Sequence, residues 1–242
     1  MAHDAGLLTL PDGYTIHRYD SLDGTNAEAL RRADARHGDV FVADRQTAGR
    51  GRAGREWQSP PGNLYATMLA VPPASRNPAQ LAFVAALGVH DALAAAAPEA
   101  RFSLKWPNDV LCGGRKLSGV LIEAGEAGYA VGVGINLIAS PPDDEVRFPA
   151  TNLQAATGTA VARDDMLASL CGAFDGWFVR WRDEGFGPLR RAWLAYGHRI
   201  GDTLSVSTRD RTIDGRFDGL DEDGALIVRD PAGVEHAITA GD

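Results

Sequence analysis

The feature that most constrains the fold is the loop AGRGRAGREW, Ala48 to Trp57, together with the segment after it. Its glycines at 49, 51 and 54 match the dinucleotide-binding pattern G-x-G-x-x-G. In that fold the glycine loop leaves a strand and immediately opens a helix, whose N-terminus holds the pyrophosphate. Here two adjacent prolines, Pro60 and Pro61, come next, and then the strand-like segment NLYATMLAV. Because no helix fits between the loop and this strand, the sequence argues against a dinucleotide-binding fold.

The rest of the chain alternates strand-like and helical segments, and then changes to short β-segments. Residues 1–196 contain segments rich in β-branched residues and segments with apolar residues at helical spacing. The strand-like segments are YTIHRYDSL, DVFVADRQ, NLYATMLAV, RFSLKW, SGVLIEA and YAVGVGINLI. Residues 197–242 contain short β-segments separated by Asp and Gly turns. We therefore predict an α+β main domain over 1–196 and a small β-barrel over 197–242.

The first helix carries signals at both ends. Thr25-x-x-Glu28 at its start fits a capping box, in which a hydroxyl and a carboxylate bind free backbone N–H groups. Gly38 fits its C-terminal end. We therefore predict a helix between these positions, with the Thr25 hydroxyl available as its cap.

Composition narrows the class of protein. The chain has a formal net charge of −8 and two cysteines, Cys112 and Cys171, which form no C-x-x-C pair. An acidic chain is a poor general nucleic-acid binder, and such cysteines fit a reducing cytoplasm as buried, small apolar residues. No signal peptide or apolar run of about 18 residues is recognised, and the six histidines have no metal-ligand spacing. We expect a cytoplasmic globular protein.

The arginines of the loop allow two interpretations. Arg50, Arg52 and Arg55 supply fork-shaped donors suited to phosphate or carboxylate oxygens, and the glycines let the backbone wrap closely around a ligand. Because three like charges repel one another, such a loop is expected to be poorly ordered until an anion arrives. The alternative is a solvated basic turn without function, and the spacing alone leaves both open.

Three further segments bear on this choice: KWPNDVL (Lys105 to Leu111), GRKLSGVLIEA (Gly114 to Ala124) and GVGINL (Gly132 to Leu137). Together with GRGRAGREW, in this order and spacing, they closely resemble the biotin protein ligase family. The resemblance covers roughly Tyr14 to Gly241. It implies a class II synthetase-like mixed β-sheet with flanking helices, followed by a small SH3-like β-barrel.

The resemblance also implies a reaction. Members of the family join biotin to ATP, giving biotinyl-5′-adenylate, and then transfer biotin to a lysine of a carrier domain, such as that of acetyl-CoA carboxylase. Mg²⁺ held mainly by the ATP phosphates is implied, and no metal site made of protein ligands is expected. Because the resemblance begins within about fifteen residues of Met1, no N-terminal helix-turn-helix is expected, and neither nucleic-acid nor membrane binding.

Site residues are implied by the matched motifs. Lys116, Arg50 and Lys105 are implied as catalytic cations that stabilise charge on the reacting oxygens. The resemblance implies biotin contacts from Gly24, Thr25, Asn26, Gln46, Arg50, Gly51, Arg52, Lys116 and Gly119. It implies ATP contacts from Arg50, Arg52, Arg55, Trp57, Lys105, Asn108, Lys116 and Asn136. The glycines at 132 and 134 would let a flat base approach the strand closely.

Structural alternatives exist for several of these residues. Taken alone, Lys116 would be an exposed turn lysine and Trp57 a core residue. Asn108 and Asp109 could simply cap the turn after Pro107. For these positions the residue type does not decide, and the functional interpretation depends on the resemblance.

The chain departs from the family pattern at the start of the first helix. The family usually has Ser-Thr-Asn there, whereas this chain has Gly24-Thr25-Asn26. The ureido group of biotin needs donors for its carbonyl and acceptors for its two N–H groups. With one hydroxyl missing, a backbone N–H, a water or Thr25 would have to replace it.

Other functions and assemblies stay open at this point. A lipoate–protein ligase would share the architecture and the adenylate strategy, although the full arginine loop favours biotin. A non-catalytic biotin-binding regulator would need no Lys116. A homodimer is possible, in which the segment YAVGVGINLI could pair across a two-fold axis, but a buried strand would have the same pattern.

Overall fold

The computed structural model describes residues 9–241, and its centre is a seven-stranded β-sheet in the order β1-β2-β3-β7-β6-β5-β4. β1 and β2 are parallel, and the other neighbouring pairs are antiparallel. The strands are β1 (Thr15–Leu22), β2 (Asp39–Gln46), β3 (Leu64–Ala70), β4 (Phe102–Lys105), β5 (Asp109–Cys112), β6 (Arg115–Gly125) and β7 (Gly128–Ile135). The predicted mixed sheet is confirmed.

The helices of the described part pack around this sheet. They are α1 (Thr25–Arg31), α2 (Leu81–Ala96), α3 (Leu153–Thr157), α4 (Arg163–Glu184) and α5 (Phe186–Tyr196). α2 and α4 approach closely, because a Cβ at Gly88 would lie 3.1 Å from the backbone of Phe174. Both cysteines, Cys112 and Cys171, are buried free thiols in this core, as predicted, and burial raises the pKa of Cys171 to about 12.

The helical stretch Pro78–Ala96, which includes α2, is long and apolar enough to span a membrane by length and composition. Two thirds of its most apolar window, 67%, is nevertheless buried inside the protein. A helix that is apolar all round is expected where a sheet covers one side and another helix covers the other. The stretch is therefore accounted for as the core helix of a globular fold.

Four short strands near the C-terminus form a second, antiparallel sheet in the order β11-β10-β9-β8. They are β8 (Thr203–Ser207), β9 (Thr212–Leu220), β10 (Leu226–Arg229) and β11 (Glu235–Ile238). The Trp106 indole N–H donates to the carbonyl of Gly224 at 3.0 Å, which fixes this sheet to the main one. The small C-terminal β-structure is thus confirmed, while the boundary between 196 and 197 stays a prediction.

The predicted capping box at the start of α1 is wrong, although the helix does begin at Thr25. Gly24 is the N-cap and no side chain caps the helix from that position. Instead, Gln46 at the end of β2 accepts the Thr25 backbone N–H through Oε1 at 2.9 Å. The Glu28 carboxylate accepts from Tyr19 rather than from the helix start. A residue distant in sequence therefore replaces the predicted capping box, and the Thr25 hydroxyl takes other partners.

The predicted end of α1 is wrong as well. The helix ends at Arg31, seven positions before Gly38. Gly38 comes just before β2 and has a φ of +90°. Its N–H donates to the carbonyl of Leu69 at 3.0 Å. The glycine signal was real but belongs to a turn that enters the sheet.

Two short elements were not predicted from the sequence. β5 follows the turn WPND and pairs with both β4 and β6. α3 lies in the connection between β7 and α4, and Asn152 caps it by accepting the N–H of Ala155 at 2.8 Å. Elements of four or five residues carry little periodic signal of their own, so they are easily missed.

β7 has no free edge with which to pair across a two-fold axis. It lies between β3 and β6, and every residue from Gly128 to Ile135 faces a partner on at least one of these strands. Because its backbone groups are used on both sides, the segment YAVGVGINLI has no free edge. Its apolar pattern is that of a buried central strand.

We expect Gly176→Ala to stabilise the protein by about 0.5–1 kcal/mol, because alanine loses less conformational freedom than glycine when a helix forms. Gly176 is exposed in α4, and a Cβ there would meet no atom within 4 Å. Gly88→Ala is the contrasting variant, since its Cβ would press on the backbone of Phe174. Thermal and urea unfolding measure both. A lower midpoint for Gly176→Ala would contradict the prediction.

Candidate active site

A cavity of about 590 Å³ opens over the central strands, between the arginine loop and the ends of β4 and β5. All of the site residues predicted from the sequence line it. They are Gly24, Thr25, Asn26, Gln46, Arg50, Gly51, Arg52, Arg55, Trp57, Lys105, Asn108, Lys116, Gly119 and Asn136. The structure therefore brings together residues that are spread over more than a hundred positions of sequence.

Glycines of β6 and β7 form the floor of the cavity. Gly119 faces Gly134 across these two strands. The Trp57 indole lies so close above them that a Cβ on Gly134 would stand 2.5 Å from its Cε2 atom. A Cβ on Gly132 would collide with Oδ1 of Asn26. Side chains thus lie directly on the strand backbone, and a flat group can do so only where Cβ atoms are missing.

The arginine loop is a tight hairpin. Arg50 and Glu56 form a β-bridge, and the Gly51 N–H donates to the Arg55 carbonyl at 2.7 Å. A Cβ on Gly49 would collide with the carbonyl of Trp57, so this glycine is required for the close approach. The three arginines line the cavity, which argues against a solvated turn without function.

Two contacts hold arginines of this loop to the sheet side of the cavity. Arg50 lies 3.0 Å from Oε1 of Glu123, with about half of its side chain exposed. Arg52 donates to Oδ1 of Asn108 at 3.1 Å. Asn108 in turn donates to the carbonyl of Val120. These partners place the loop beside the sheet, and its poor order before an anion binds stays a prediction.

A buried tyrosine of β3 holds the segment that follows the arginine loop. Tyr65 is buried in β3, and its hydroxyl donates to the carbonyl of Pro60 at 2.7 Å. Burial raises the pKa of Tyr65 to about 12, so the hydroxyl remains a donor throughout the neutral range. The prolines after the loop are thereby fixed where they enter β3.

One end of the cavity is polar and uncharged. Oε1 of Gln46 accepts from the hydroxyl of Thr25 at 3.2 Å, while Nε2 of Gln46 donates to Ser59 at 3.0 Å. The Ser59 hydroxyl donates to the carbonyl of Trp57. The buried Thr67 hydroxyl lies 2.8 Å from that of Thr25. This set offers both donors and acceptors without a net charge, which suits a neutral polar group.

The absence of a side chain at Gly24 leaves space at the polar, uncharged end of the cavity. Its N–H donates to Oδ1 of Asp23 at 2.8 Å, so it is not free to replace the missing hydroxyl. A Cβ on Gly24 would come no closer than 3.8 Å to any atom. A serine would therefore fit, and packing alone does not require a glycine at this position.

The other end of the cavity is cationic. Nζ of Lys116 lies 2.7 Å from Oδ1 of Asp109, and three quarters of the lysine side chain is shielded from solvent. The Lys116 N–H donates to the carbonyl of Pro149, and the Lys116 carbonyl accepts from the N–H of Thr151, at 2.8 Å each. Lys116 is thus a fixed cation in a cavity rather than an exposed turn residue. Asp109 begins β5 and pairs with this lysine, so it is more than a turn cap.

Lys105 and Asn136 complete the predicted set. Nζ of Lys105 lies 4.5 Å from the centre of the Phe148 ring, a cation–π contact. Asn136 is buried, and its Nδ2 donates to the carbonyl of Thr151 at 3.0 Å. That bond ties the end of β7 to the segment that also holds Lys116.

Several lining residues were missed in the sequence as site residues. They are Asp109, Glu123, Glu145, Arg147, Phe148 and Ser205. Thr67, which supports the polar end, was also missed because it lies within the apolar run of β3. Of these residues, Asp109 and Glu123 carried a usable signal, since they lie within the matched segments KWPNDVL and GRKLSGVLIEA. The connection at 145–148 and the second sheet have no motif that indicates a site.

Comparisons with known proteins agree with this geometry. Residues 16–137 match the model of the biotin/lipoate A/B protein ligase family, and residues 203–242 match that of the biotin protein ligase C-terminal domain. A protein of Paracoccus denitrificans named biotin–[acetyl-CoA-carboxylase] ligase is 43% identical over 222 residues, 87% of this chain and 92% of that one. The Bacillus subtilis bifunctional ligase/repressor BirA is 32% identical, over 97% of this chain and 75% of its own.

Solved structures give the same result. The biotin protein ligase from Aquifex aeolicus in complex with biotin and ATP superposes with a TM-score of 0.84 at 31% identity. The superposition covers 93% of this chain and 96% of that one. The same architecture therefore extends over both sheets.

Proposed function

Because the chain belongs to the biotin/lipoate A/B protein ligase family, we propose that it is an ATP-dependent biotin–protein ligase. It activates biotin to biotinyl-5′-adenylate and transfers the biotin to a lysine of a carrier protein. The observation that carries this proposal is a single cavity with a neutral polar end and a cationic end. Biotin has the matching pair of groups, a neutral ureido ring and a carboxylate that must meet a phosphate.

We propose that the ureido ring lies at the neutral end, near Thr25, Asn26 and Gln46. Burying an unpaired polar group is costly, so a neutral ring system needs partners for each of its donors and acceptors. The hydroxyls and amides at this end supply them without charge. Backbone groups of Gly51 and Arg52, and the open floor at Gly119, would line the rest of the ligand.

The first chemical step would occur at the cationic end. A carboxylate oxygen of biotin attacks the α-phosphorus of ATP, the bond to the β-phosphate oxygen breaks, and pyrophosphate leaves. Two anions must approach each other, so fixed cations lower the barrier by stabilising charge on the phosphorus oxygens. We assign this role to Lys116 and Arg50, with Lys105 on the triphosphate side.

The nucleotide would occupy the remaining surface. We propose that Trp57 and Asn136 meet the adenine, and that Arg52, Arg55 and Asn108 position the phosphates. Arginine suits phosphate because its planar fork can make two parallel bonds. The loop that carries these arginines also covers the cavity, which would keep water from the mixed anhydride.

In the second step the amine of a carrier lysine attacks the carbonyl carbon of the adenylate. The bond between that carbon and the phosphate oxygen breaks, AMP leaves, and the amine loses a proton as the amide forms. The carrier domain of a biotin-dependent carboxylase is the proposed acceptor. A neutral amine is required, so binding must favour the unprotonated lysine.

Mg²⁺ would enter with ATP. This ion keeps several waters and needs only one or two protein carboxylates beside the phosphates. Residues 9–241 contain no cluster of His, Cys, Asp and Glu that could hold a metal alone. Glu145 lines the cavity and is a carboxylate that would serve as such a ligand. When bound, the ion would neutralise part of the phosphate charge, and Lys116, Arg50 and Lys105 would neutralise more of it.

A cytoplasmic location and a homodimer are part of the proposal. The two buried free thiols suit a reducing compartment. A dimer would have to use a surface other than β7, whose edges are both occupied. Neither nucleic acid nor membrane is a proposed partner.

The test is ATP–pyrophosphate exchange by the purified protein with biotin, and separately with lipoate. We expect exchange that requires biotin and is not supported by lipoate. Exchange with lipoate alone would assign the chain to the lipoate branch of the family. Biotin binding without exchange would indicate a non-catalytic regulator. Transfer of biotin to a purified carrier domain, measured as an increase in the mass of that domain, then tests the second step.

A further inference from the structure

Glu123 connects the arginine loop with the neutral end of the cavity. It lies on β6, and its side chain is only 25% exposed. Oε2 accepts from Nδ2 of Asn26 at 2.9 Å, and Oε1 lies 3.0 Å from the Arg50 guanidinium. The Glu123 carboxylate therefore contacts Arg50 of the arginine loop and Asn26 of the neutral end.

The contacts of Asn26 fix which way its amide faces. Nδ2 has two hydrogens, and its two partners are the carbonyl of Leu121 at 3.2 Å and the carboxylate of Glu123. Both partners only accept, so the nitrogen must face them. Oδ1 then lies on the opposite side, over the floor at Gly132 and 2.6 Å from the Thr67 hydroxyl. Asn26 thus offers the cavity an acceptor and keeps its donors occupied.

We propose that Glu123 is a positioning residue that sets ligand specificity: it holds Asn26 so that this side chain can only accept a hydrogen bond from the ligand. The inference rests on the proposed function. A ureido ring carries two N–H donors, one of which Oδ1 of Asn26 would accept. The dithiolane ring of lipoate carries none. Without Glu123 only the more distant carbonyl of Leu121, at 3.2 Å, still requires the nitrogen on that side, so the amide is held less firmly and the position selects less strongly for an N–H group.

The ion pair with Arg50 accounts less well for a carboxylate at position 123 than the hydrogen bond with Asn26 does. About half of the Arg50 side chain is exposed, and exposed ion pairs contribute little. The Asn26 contact is in a shielded position, where a lost hydrogen bond costs more. The two roles separate chemically, because glutamine keeps an oxygen that accepts from Nδ2 of Asn26 but has no charge for Arg50.

The experiment is calorimetric titration of biotin, and of biotin methylated on a ureido nitrogen, into wild type, Glu123→Ala and Glu123→Gln. Glu126→Ala, an exposed carboxylate farther along the β6–β7 turn, is the matched control. We expect Glu123→Ala to raise the Kd for biotin about tenfold, the change for one shielded hydrogen bond. Glu123→Gln should stay within about threefold of wild type. The preference for biotin over its methylated form should shrink only in Glu123→Ala.

Several outcomes would overturn the inference. Equal affinity of Glu123→Ala and wild type would show that Asn26 needs no positioning. An equal loss in Glu123→Gln would assign the effect to the charge on Arg50. If wild type binds no biotin at all, the proposed function fails first, and that result is distinct from both. Unfolding midpoints of the variants show whether a loss reflects folding, and Glu123→Gln remains informative if Glu123→Ala is unstable.

Discussion

Lys116→Ala is expected to lower biotin-dependent ATP–pyrophosphate exchange by about 10²–10³-fold, the usual cost of removing one group that stabilises transition-state charge. The loss should appear in kcat, with the Kd for biotin changed much less. Lys116 is held for this task on several sides: Asp109 pairs with its Nζ at 2.7 Å, and Pro149 and Thr151 hold its backbone. A cation fixed before the reaction needs no reorganisation as charge develops.

The neighbouring carboxylate complicates the interpretation of this variant. Without Lys116, Asp109 is left as an unpaired anion in a cavity that must accept phosphates, which is costly in itself. The double variant Lys116→Ala/Asp109→Asn separates the two effects. If the double variant remains as slow as Lys116→Ala, the lysine itself stabilises the transition state. Recovery to within about threefold of wild type would mean that the orphan carboxylate caused the loss, and that our assignment of Lys116 is wrong.

The chain offers a second, independent measurement. Its 242 residues contain only two lysines, Lys105 and Lys116, and both line the cavity. An amine-selective reagent therefore reports on this site and the N-terminal amine alone. We expect biotin with ATP to protect both lysines from modification, as measured by peptide mass. Full reactivity of Lys116 in the presence of both substrates would contradict its placement at the reacting groups.

The sequence predicted which residues line the cavity better than it predicted the local structure around them. Gly49 shows why the loop could be identified: only a glycine allows the Trp57 carbonyl so close, and such positions leave a visible pattern. The capping of α1 could not be predicted, because Gln46 caps the helix from a strand that is about twenty residues away in sequence. Thr25 had an apparent local role, and the tertiary contact replaced it.

Support residues were missed for a similar reason. Thr67 is one polar residue within an apolar strand, so the periodic pattern of β3 hides it. Glu123 ends a matched segment, but its contact with Asn26 joins residues 97 positions apart. Phe148 lies in a connection without a motif and becomes a neighbour of Lys105 only through the fold. Motifs identify residues that contact ligands, whereas the residues that orient them depend on three-dimensional neighbours.

Gly134→Ala is expected to lower the exchange rate about 100-fold while changing the unfolding midpoint little. The new Cβ would lie 2.5 Å from Cε2 and 2.6 Å from Cζ2 of Trp57, so the indole must rise from the floor. Gly134 itself stays paired with Tyr65 and Gly119, so the indole rather than the strand is expected to move. Displacement of a substrate-positioning ring by about 1 Å is enough to cost two orders of magnitude in rate.

Gly132→Ala is the matched control, two residues away on the same face of β7. Its Cβ would meet the Asn26 amide instead of the indole. If the neutral end binds biotin and Trp57 meets the nucleotide, Gly132→Ala should raise the KM for biotin, and Gly134→Ala the KM for ATP. Initial rates with each substrate varied in turn measure the split. Identical effects of the two variants on both KM values would mean that the cavity does not divide between the substrates as proposed.

The unfolding midpoint of Gly134→Ala decides how a loss of rate is interpreted. In the described part of the chain, the Trp57 indole N–H is buried without a hydrogen-bond partner. Buried donors of this kind are rare, and moving the ring toward solvent would relieve that cost. The variant should therefore fold as well as wild type, and its loss of rate should come from the position of the ring. A large drop in the midpoint would contradict this and show that the contact between Trp57 and the glycine floor stabilises the fold itself.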